Sequence, residues 1–331
     1  ARMDVPGELC ELQDLTEFGG QFPCFHPDAT LVGWFRNHTL RQWHRLDTQV
    51  APEPVFSCEH YEDTSTLYVS RIRQFELGTF AVSGSSSDRQ TGLYRVTEEG
   101  EELVCSHELG LLWMQIFAVA LHPDGLRWAV GGDTDIAGVG KMAMFTVDGL
   151  DLRAGPPRID HEVYSLDFDS RGRLAVLCPK TIKVFQEHEN IWEIHLRISL
   201  PNDSHYLSTL RFDPTGKFLT LTLDGRNGGL GVASYNVERG AQCWARTVPG
   251  EWPSGLCYSP CGSMLAIADS EGLCVLEAES GELIALNPTR QKLPAVVDWS
   301  RDFIIVGNEV EGYLFAAPPA PGLTKSAIKM A

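Results

Sequence analysis

Short apolar runs, broken at close intervals by Gly, Pro, Asp, Asn and Ser, make up most of this chain. Leu126–Val130, Leu174–Leu177, Phe218–Leu223, Met264–Ala268 and Phe303–Val306 are such runs, and each follows a turn-forming cluster. Strand-length segments bounded by turn residues are the pattern of antiparallel β structure. No segment longer than two helical turns keeps its apolar residues at a 3.6-residue period. The elements predicted are strands throughout.

The turns repeat one phrase: an apolar residue, a variable residue, often Pro, and a turn pair before the next strand. Its copies read Phe25-His26-Pro27-Asp28-Ala29, Leu121-His122-Pro123-Asp124-Gly125, Phe168-Asp169-Ser170-Arg171-Gly172, Phe212-Asp213-Pro214-Thr215-Gly216 and Tyr258-Ser259-Pro260-Cys261-Gly262. A degenerate copy is Trp299-Ser300-Arg301-Asp302. The wide gap between Phe25 and Leu121 leaves room for one more copy, placed at Gln74–Gly78 ahead of a strand at Thr79–Ser83. Seven units result.

Each unit has a strand into the turn, a strand out of it, a Gly/Asp-rich loop and a third strand. The third strands are read at Gly92–Val96, Met142–Val147, Thr181–Phe185, Gly231–Val237 and Leu273–Glu277. Polar turns such as Asp148-Gly149, Glu238-Arg239-Gly240 and Glu279-Ser280-Gly281 then lead into a fourth strand. Four strands per unit of about 40–45 residues, in tandem, predict a β-propeller. The fold expected is all-β: seven four-stranded antiparallel blades, starting near residues 22, 72, 117, 163, 208, 255 and 295. The seventh unit supplies only Ala295–Asp298, Phe303–Val306 and Gly312–Ala316 before Pro318-Pro319. An open sheet edge is a liability, and Glu8–Leu12 has no unit of its own. The expectation is that residues 8–12 complete the last blade as its outer strand. That makes 1–317 a single domain followed by an extended Pro-rich tail, 318–331.

The Pro-Asp-Gly turn after the first strand and the ending Glu279-Ser280-Gly281-Glu282-Leu283 resemble the WD-repeat family. The resemblance spans about Gly7 to Pro318 and implies a propeller that binds proteins. The chain departs from the family pattern in two places. No third strand ends in Trp-Asp, and no Gly-His pair opens a repeat.

Charge narrows the partners. With 27 Lys+Arg against 44 Asp+Glu the formal net charge is −17, which disfavours nucleic acid, whose phosphates need clustered cations. A partner with a basic surface fits better. The longest apolar stretch, Leu109–Leu121, contains Gly110 and Gln115 and is too short to span a membrane. Ala1-Arg2-Met3-Asp4 does not open a signal sequence. Nine scattered cysteines, an odd number without zinc-ligand spacing, read as thiols of a reducing compartment, so a cytoplasmic protein is expected.

Candidate chemistry is sparse. The loop 131–142 has Asp135 where a phosphate loop needs Gly, and Met142 where it needs Ser or Thr. Asp133 and Asp135 have the spacing of calcium ligands, but Ala137 occupies the third position. No His-Glu-x-x-His arrangement or Gly-x-Ser-x-Gly elbow occurs. No cofactor or metal is expected. Loops between second and third strands are longest at Gly84–Gly92, Gly131–Gly140 and Asp224–Gly229, and the resemblance implies that they share one face with the connections between blades. They present Asp88, Arg89, Asp133, Asp135, Arg226 and Asn227, and Trp252 lies in a connection between blades. Loops on a rigid scaffold commonly carry recognition, so these residues are the candidate partner-binding set. A metal-dependent lactonase or hydrolase would need carboxylates or histidines at the starts of innermost strands, where Leu210, Leu256 and Val296 stand. A small-GTPase exchange factor would show a protruding basic loop, and none is visible. The function expected is a non-catalytic scaffold or adaptor, a subunit of a multiprotein complex.

Overall fold

The computed structural model describes residues 7–9, 11–14, 21–25, 31–36, 39–45, 54–57, 67–71, 79–84, 90–97, 100–108, 113–134, 142–150, 159, 161–201, 208–223, 229–250, 255–269, 272–287, 296–307 and 312–319. Every regular element among them is a strand. They form seven sheets, in which consecutive strands pair antiparallel from first to last. Blade 1 runs from Gln21–Phe25 to Pro54–Ser57, blade 2 from Leu67–Arg71 to Gly100–Glu108, and blade 3 from Trp113–Leu121 to Gly149–Leu150. Blade 4 contains Ser165–Phe168, Leu174–Cys178, Thr181–His188 and Ile191–Ser199. Blade 5 contains Leu210–Phe212, Phe218–Leu223, Leu230–Asn236 and Gln242–Val248. Blade 6 contains Leu256–Tyr258, Met264–Asp269, Gly272–Glu277 and Leu283–Asn287, and blade 7 Val296–Trp299, Phe303–Gly307 and Gly312–Ala316.

The first strands of blades 2 to 7 lie against one another in order, and Val296–Trp299 returns against Gln21–Phe25 of blade 1. Glu11–Asp14 pairs antiparallel with the third strand of blade 7, Glu11 opposite Phe315 and Asp14 opposite Tyr313. The outer strand is therefore shifted from the expected 8–12. Gly7 and Glu8 instead run parallel to Ala285 and Leu286 on the outer edge of blade 6. Leu9 is the reason for the crossing. Its side chain is 4% exposed and sits with Ala285 of blade 6 and Val297, Trp299 and Phe315 of blade 7. Its carbonyl accepts a hydrogen bond from Asn287 Nδ2 at 3.3 Å. The N-terminal segment thus binds two blades rather than one.

The core lies between sheets. One cluster joins Ala175, Leu177, Ile182 and Val184 of blade 4 to Leu210, Leu219 and Leu221 of blade 5. Another joins Leu230, Val232 and Trp244 of blade 5 to Leu256, Leu265 and Ile267 of blade 6. Leu210 and Leu256 are thus packing residues between blades. β-Branched and leucine side chains alternate onto such pleated faces readily.

The outer strands are bulged at matching places. Val55, Val104, His195, Cys243 and Ile284 are each the extra residue against the third strand. A bulge twists an exposed edge away from further pairing.

Candidate functional site

The recurrent turn owes its shape to a local hydrogen-bond pattern. Its first residue donates N–H to the residue that follows the turn: His122 to Arg127, Asp169 to Arg173, Asp213 to Phe218 and Ser259 to Met264, at 2.8 to 3.0 Å. The glycine three residues on donates back to the first carbonyl, and Gly125, Gly172, Gly216 and Gly262 have φ between +68° and +79°. An L side chain is strained there, which explains the fixed glycine. The first side chain then caps the turn. Asp169 Oδ1 accepts from Arg171 and Arg173 N–H at 2.9 and 2.8 Å, and Ser259 Oγ accepts from Met264 N–H at 3.0 Å.

Two of these turns reach across to the next blade through arginine. In blade 4, Arg173 Nε donates to Asp169 Oδ2 at 2.7 Å, with the two side chains 2% and 0% exposed. The same guanidinium donates to Glu238 Oε1 in blade 5 at 2.8 Å and to the Gly216 carbonyl. In blade 3, Arg127 donates to Asp124 Oδ2 at 2.7 Å and to Glu187 Oε2 of blade 4 at 2.8 Å. His122 stands between them, with Nε2 3.1 Å from Arg127 Nη2 and Nδ1 2.9 Å from Asp124 Oδ2. The Asp124 backbone N–H also donates to His122 Nδ1 at 3.1 Å. Partial burial alone would raise the Asp124 pKa. The hydrogen bonds from His122, the Leu126 N–H and Arg127 outweigh it and hold the carboxyl well below the usual carboxylate range. Burial likewise works against Arg127, and its bonds to Asp124 and Glu187 still leave it more firmly charged than usual.

These turns carry exposed aliphatic side chains. Leu126, Val147, Ile191 and Ile194 are the exposed large hydrophobic residues among those described, and all four belong to blades 3 and 4. Leu126 and Val147 follow the Arg127–Thr146 pair at the end of one sheet. Ile191 leaves the Glu189-Asn190 turn, where φ of +51° and +66° define a type I′ hairpin. Ile194 pairs with Phe185 on the side of blade 4 that packs against blade 3. It stands exposed on the outer strand of blade 4.

Of the residues read as partner-binding, Asp133 ends the second strand of blade 3, half-buried opposite Gln115, at the far end of that strand from Leu126. Asp88, Arg89, Asp135, Arg226, Asn227 and Trp252 lie outside the described residues, as does the tail beyond 319. The turn-side aliphatics were missed because Leu126 reads as the first residue of an apolar strand. The strand begins at Arg127. Ile191, next to a polar turn, was the one visible signal.

Among the described residues no three His, Cys, Asp or Glu side chains gather in a metal-holding group. No helix is long and apolar enough to cross a membrane.

No family model matches the chain, and no curated protein matches it in sequence. Many solved structures share its shape. One is the β-propeller domain of Cps50 (Swd1) from Myceliophteria thermophila, which superposes with a TM-score of 0.70 at 10% identity, over 94% of this chain and all of that domain. The likeness establishes the fold, a β-propeller.

Proposed function

We propose that this propeller is a non-catalytic adaptor that holds one or more proteins in a larger assembly. The observation that carries the reading is a propeller whose described surface leaves the large aliphatic side chains Leu126, Val147, Ile191 and Ile194 in solvent, the first three beside hairpin turns of blades 3 and 4. Side chains presented in this way add binding surface without ordering costs at the moment of contact. The excess of acid favours a partner with a basic surface over nucleic acid or an anionic membrane. Cys105, Cys178, Cys243, Cys257, Cys261 and Cys274 form no disulfide, and three of them are buried, which fits a reducing compartment such as the cytoplasm. The long-loop residues Asp88, Arg89, Asp133, Asp135, Arg226, Asn227 and Trp252 are a second candidate contact set.

The test is isolation of the tagged protein from its native source at physiological salt, with size measured by light scattering. The expected species contains this chain and at least one other protein in fixed stoichiometry. A monodisperse 36.6 kDa species in every native extract would refute the adaptor reading.

A further inference from the structure

Blade 6 carries one strand more than its neighbours. Its sheet has five strands, the fifth being Gly7–Glu8, laid parallel to Leu283–Asn287 with Gly7 opposite Ala285 and Glu8 opposite Leu286. Closure of the ring does not require this contact, because Glu11–Asp14 alone supplies the fourth strand of blade 7. Residues 7–9 therefore occupy a sheet edge that a four-stranded blade leaves open. Such an edge is a template for an extended chain.

The attachment has one strong point and weak surroundings. The Leu9 N–H donates to the Leu286 carbonyl at 3.4 Å, and Asn287 Nδ2 donates to the Leu9 carbonyl at 3.3 Å. Both contacts are longer than the usual N–H···O bond. What holds the segment is the Leu9 side chain, 4% exposed in the apolar cluster that contains Ala285, Val297 and Phe315. Main-chain pairing with a single apolar pocket is an arrangement by which sheet edges take peptides. Charge along the edge adds a preference. Continuing the parallel register, the third residue before the Gly7 position comes beside Glu282, which is exposed, as is Glu279 in the same hairpin. A Lys or Arg at that position meets carboxylates.

Resting on the adaptor reading, we infer that the outer edge of blade 6 is a docking site for an extended segment of a partner protein, held in cis by residues 7–9. The incoming segment runs parallel to Leu283–Asn287, places an aliphatic side chain in the Leu9 pocket and carries Lys or Arg on the N-terminal side of it. Glu11–Asp14 stays on blade 7, so the ring remains closed during the exchange.

A segment held in cis lowers a competitor's apparent affinity by the fraction of molecules in which the pocket is open. The first test titrates the full chain with a fluorescent peptide of the sequence Ala1–Leu9 carrying D4K. The L9A chain binds this peptide about tenfold or more tightly than the parent chain does, since its own segment competes less. A peptide with Ser in place of Leu9 binds neither chain, and E279Q/E282Q weakens the Lys-bearing peptide severalfold at low salt. Should L9A fail to fold, hydrogen exchange of the parent chain decides: excess Leu peptide speeds exchange at the Leu9 amide, and the Ser peptide does not. Equal affinities of parent and L9A, equal binding of the two peptides, or unchanged exchange at Leu9 overturns the site.

The second test places a photo-crosslinking residue at position 282 in the native source. The expected adduct is a segment of another protein with Lys or Arg ahead of an aliphatic residue. Adducts confined to this chain's own residues 1–9, or to a second copy, overturn docking of a partner at this edge. The adaptor reading is judged separately, by the isolated species: a partner that co-purifies without crosslinking at position 282 leaves that reading standing and removes this site. Isolation of the chain alone removes both.

Discussion

The Asp169–Arg173 pair is the most demanding test of how the blades are held together. Both side chains are buried, and their contact is 2.7 Å. Replacing Arg173 by Ser strips Asp169 of its cation, leaves the Gly216 carbonyl without its guanidinium partner and leaves Glu238 with the more distant Arg171. Breaking a buried pair from one side costs about 3–5 kcal/mol. Glu238 is half exposed and rehydrates, and two backbone N–H groups still serve Asp169. The cost of R173S therefore falls near the lower end, about 3 kcal/mol. D169S keeps the Arg173 bonds to Glu238 and Gly216 and supplies a hydroxyl cap, so about 2 kcal/mol is expected.

Blade 6 shows what the double variant becomes. It carries Ser259 at the capping position and the uncharged Met264 where Arg173 closes the blade 4 turn, and its turn keeps the corresponding backbone bonds. D169S/R173S leaves no uncompensated buried charge, so it should cost about 2 kcal/mol less than the two single variants together. Urea unfolding at pH 7 measures the cycle, and the coupling should change little between low and moderate salt because the pair is shielded from solvent. A coupling under about 0.5 kcal/mol, the scatter of independent sites, would show that Asp169 does not hold the Arg173 guanidinium in place within the turn.

Other outcomes follow from the same structure. Leu9→Ala empties a site shared by blades 6 and 7 and should cost about 2–3 kcal/mol, read as a lower urea midpoint with nearly unchanged slope. Asp124 has a folded pKa below its unfolded value, so its contribution is complete above the ordinary carboxylate range and disappears as pH falls toward the depressed value. The stability gap between D124N and the parent, measured by thermal melts from pH 7 downward, should therefore close in acid; a gap that widens there contradicts the assignment. Trp128 Nε1 donates to Thr91 Oγ1 at 2.7 Å, whereas Trp192 Nε1 is buried without a partner. Both lose the same atoms on replacement by Phe, so Trp128→Phe should cost about 1–2 kcal/mol more than Trp192→Phe in urea unfolding.

Strand positions were legible wherever a turn punctuated the apolar run. Phe218–Leu223 and Gly312–Ala316 begin and end where the pattern places them, because a turn glycine or a proline marks each boundary. The N-terminal segment was misplaced by three residues, since a short strand without punctuation has no register of its own. Its position is chosen by Leu9 finding an apolar slot between two blades, a long-range fact that no local pattern encodes. The clasps were invisible for a similar reason. Arg173 and Glu238 are 65 residues apart, and nothing in either turn announces that they meet. Leu126 misled in the opposite direction: an apolar residue after a turn reads as core, while the backbone geometry after Gly125 leaves it in solvent.

The departure from the repeat pattern has a structural consequence. The blades share one turn, yet each junction is locked differently. Arg127 binds Glu187 between blades 3 and 4, and Arg173 binds Glu238 between blades 4 and 5. Between blades 5 and 6 the links are Thr220 to Tyr258 and Trp244 Nε1 to the Ala278 carbonyl, and between blades 6 and 7 the buried Leu9. A ring requires only that neighbouring sheets be held at the same spacing, so unrelated contacts serve equally well and the sequence is free to drift.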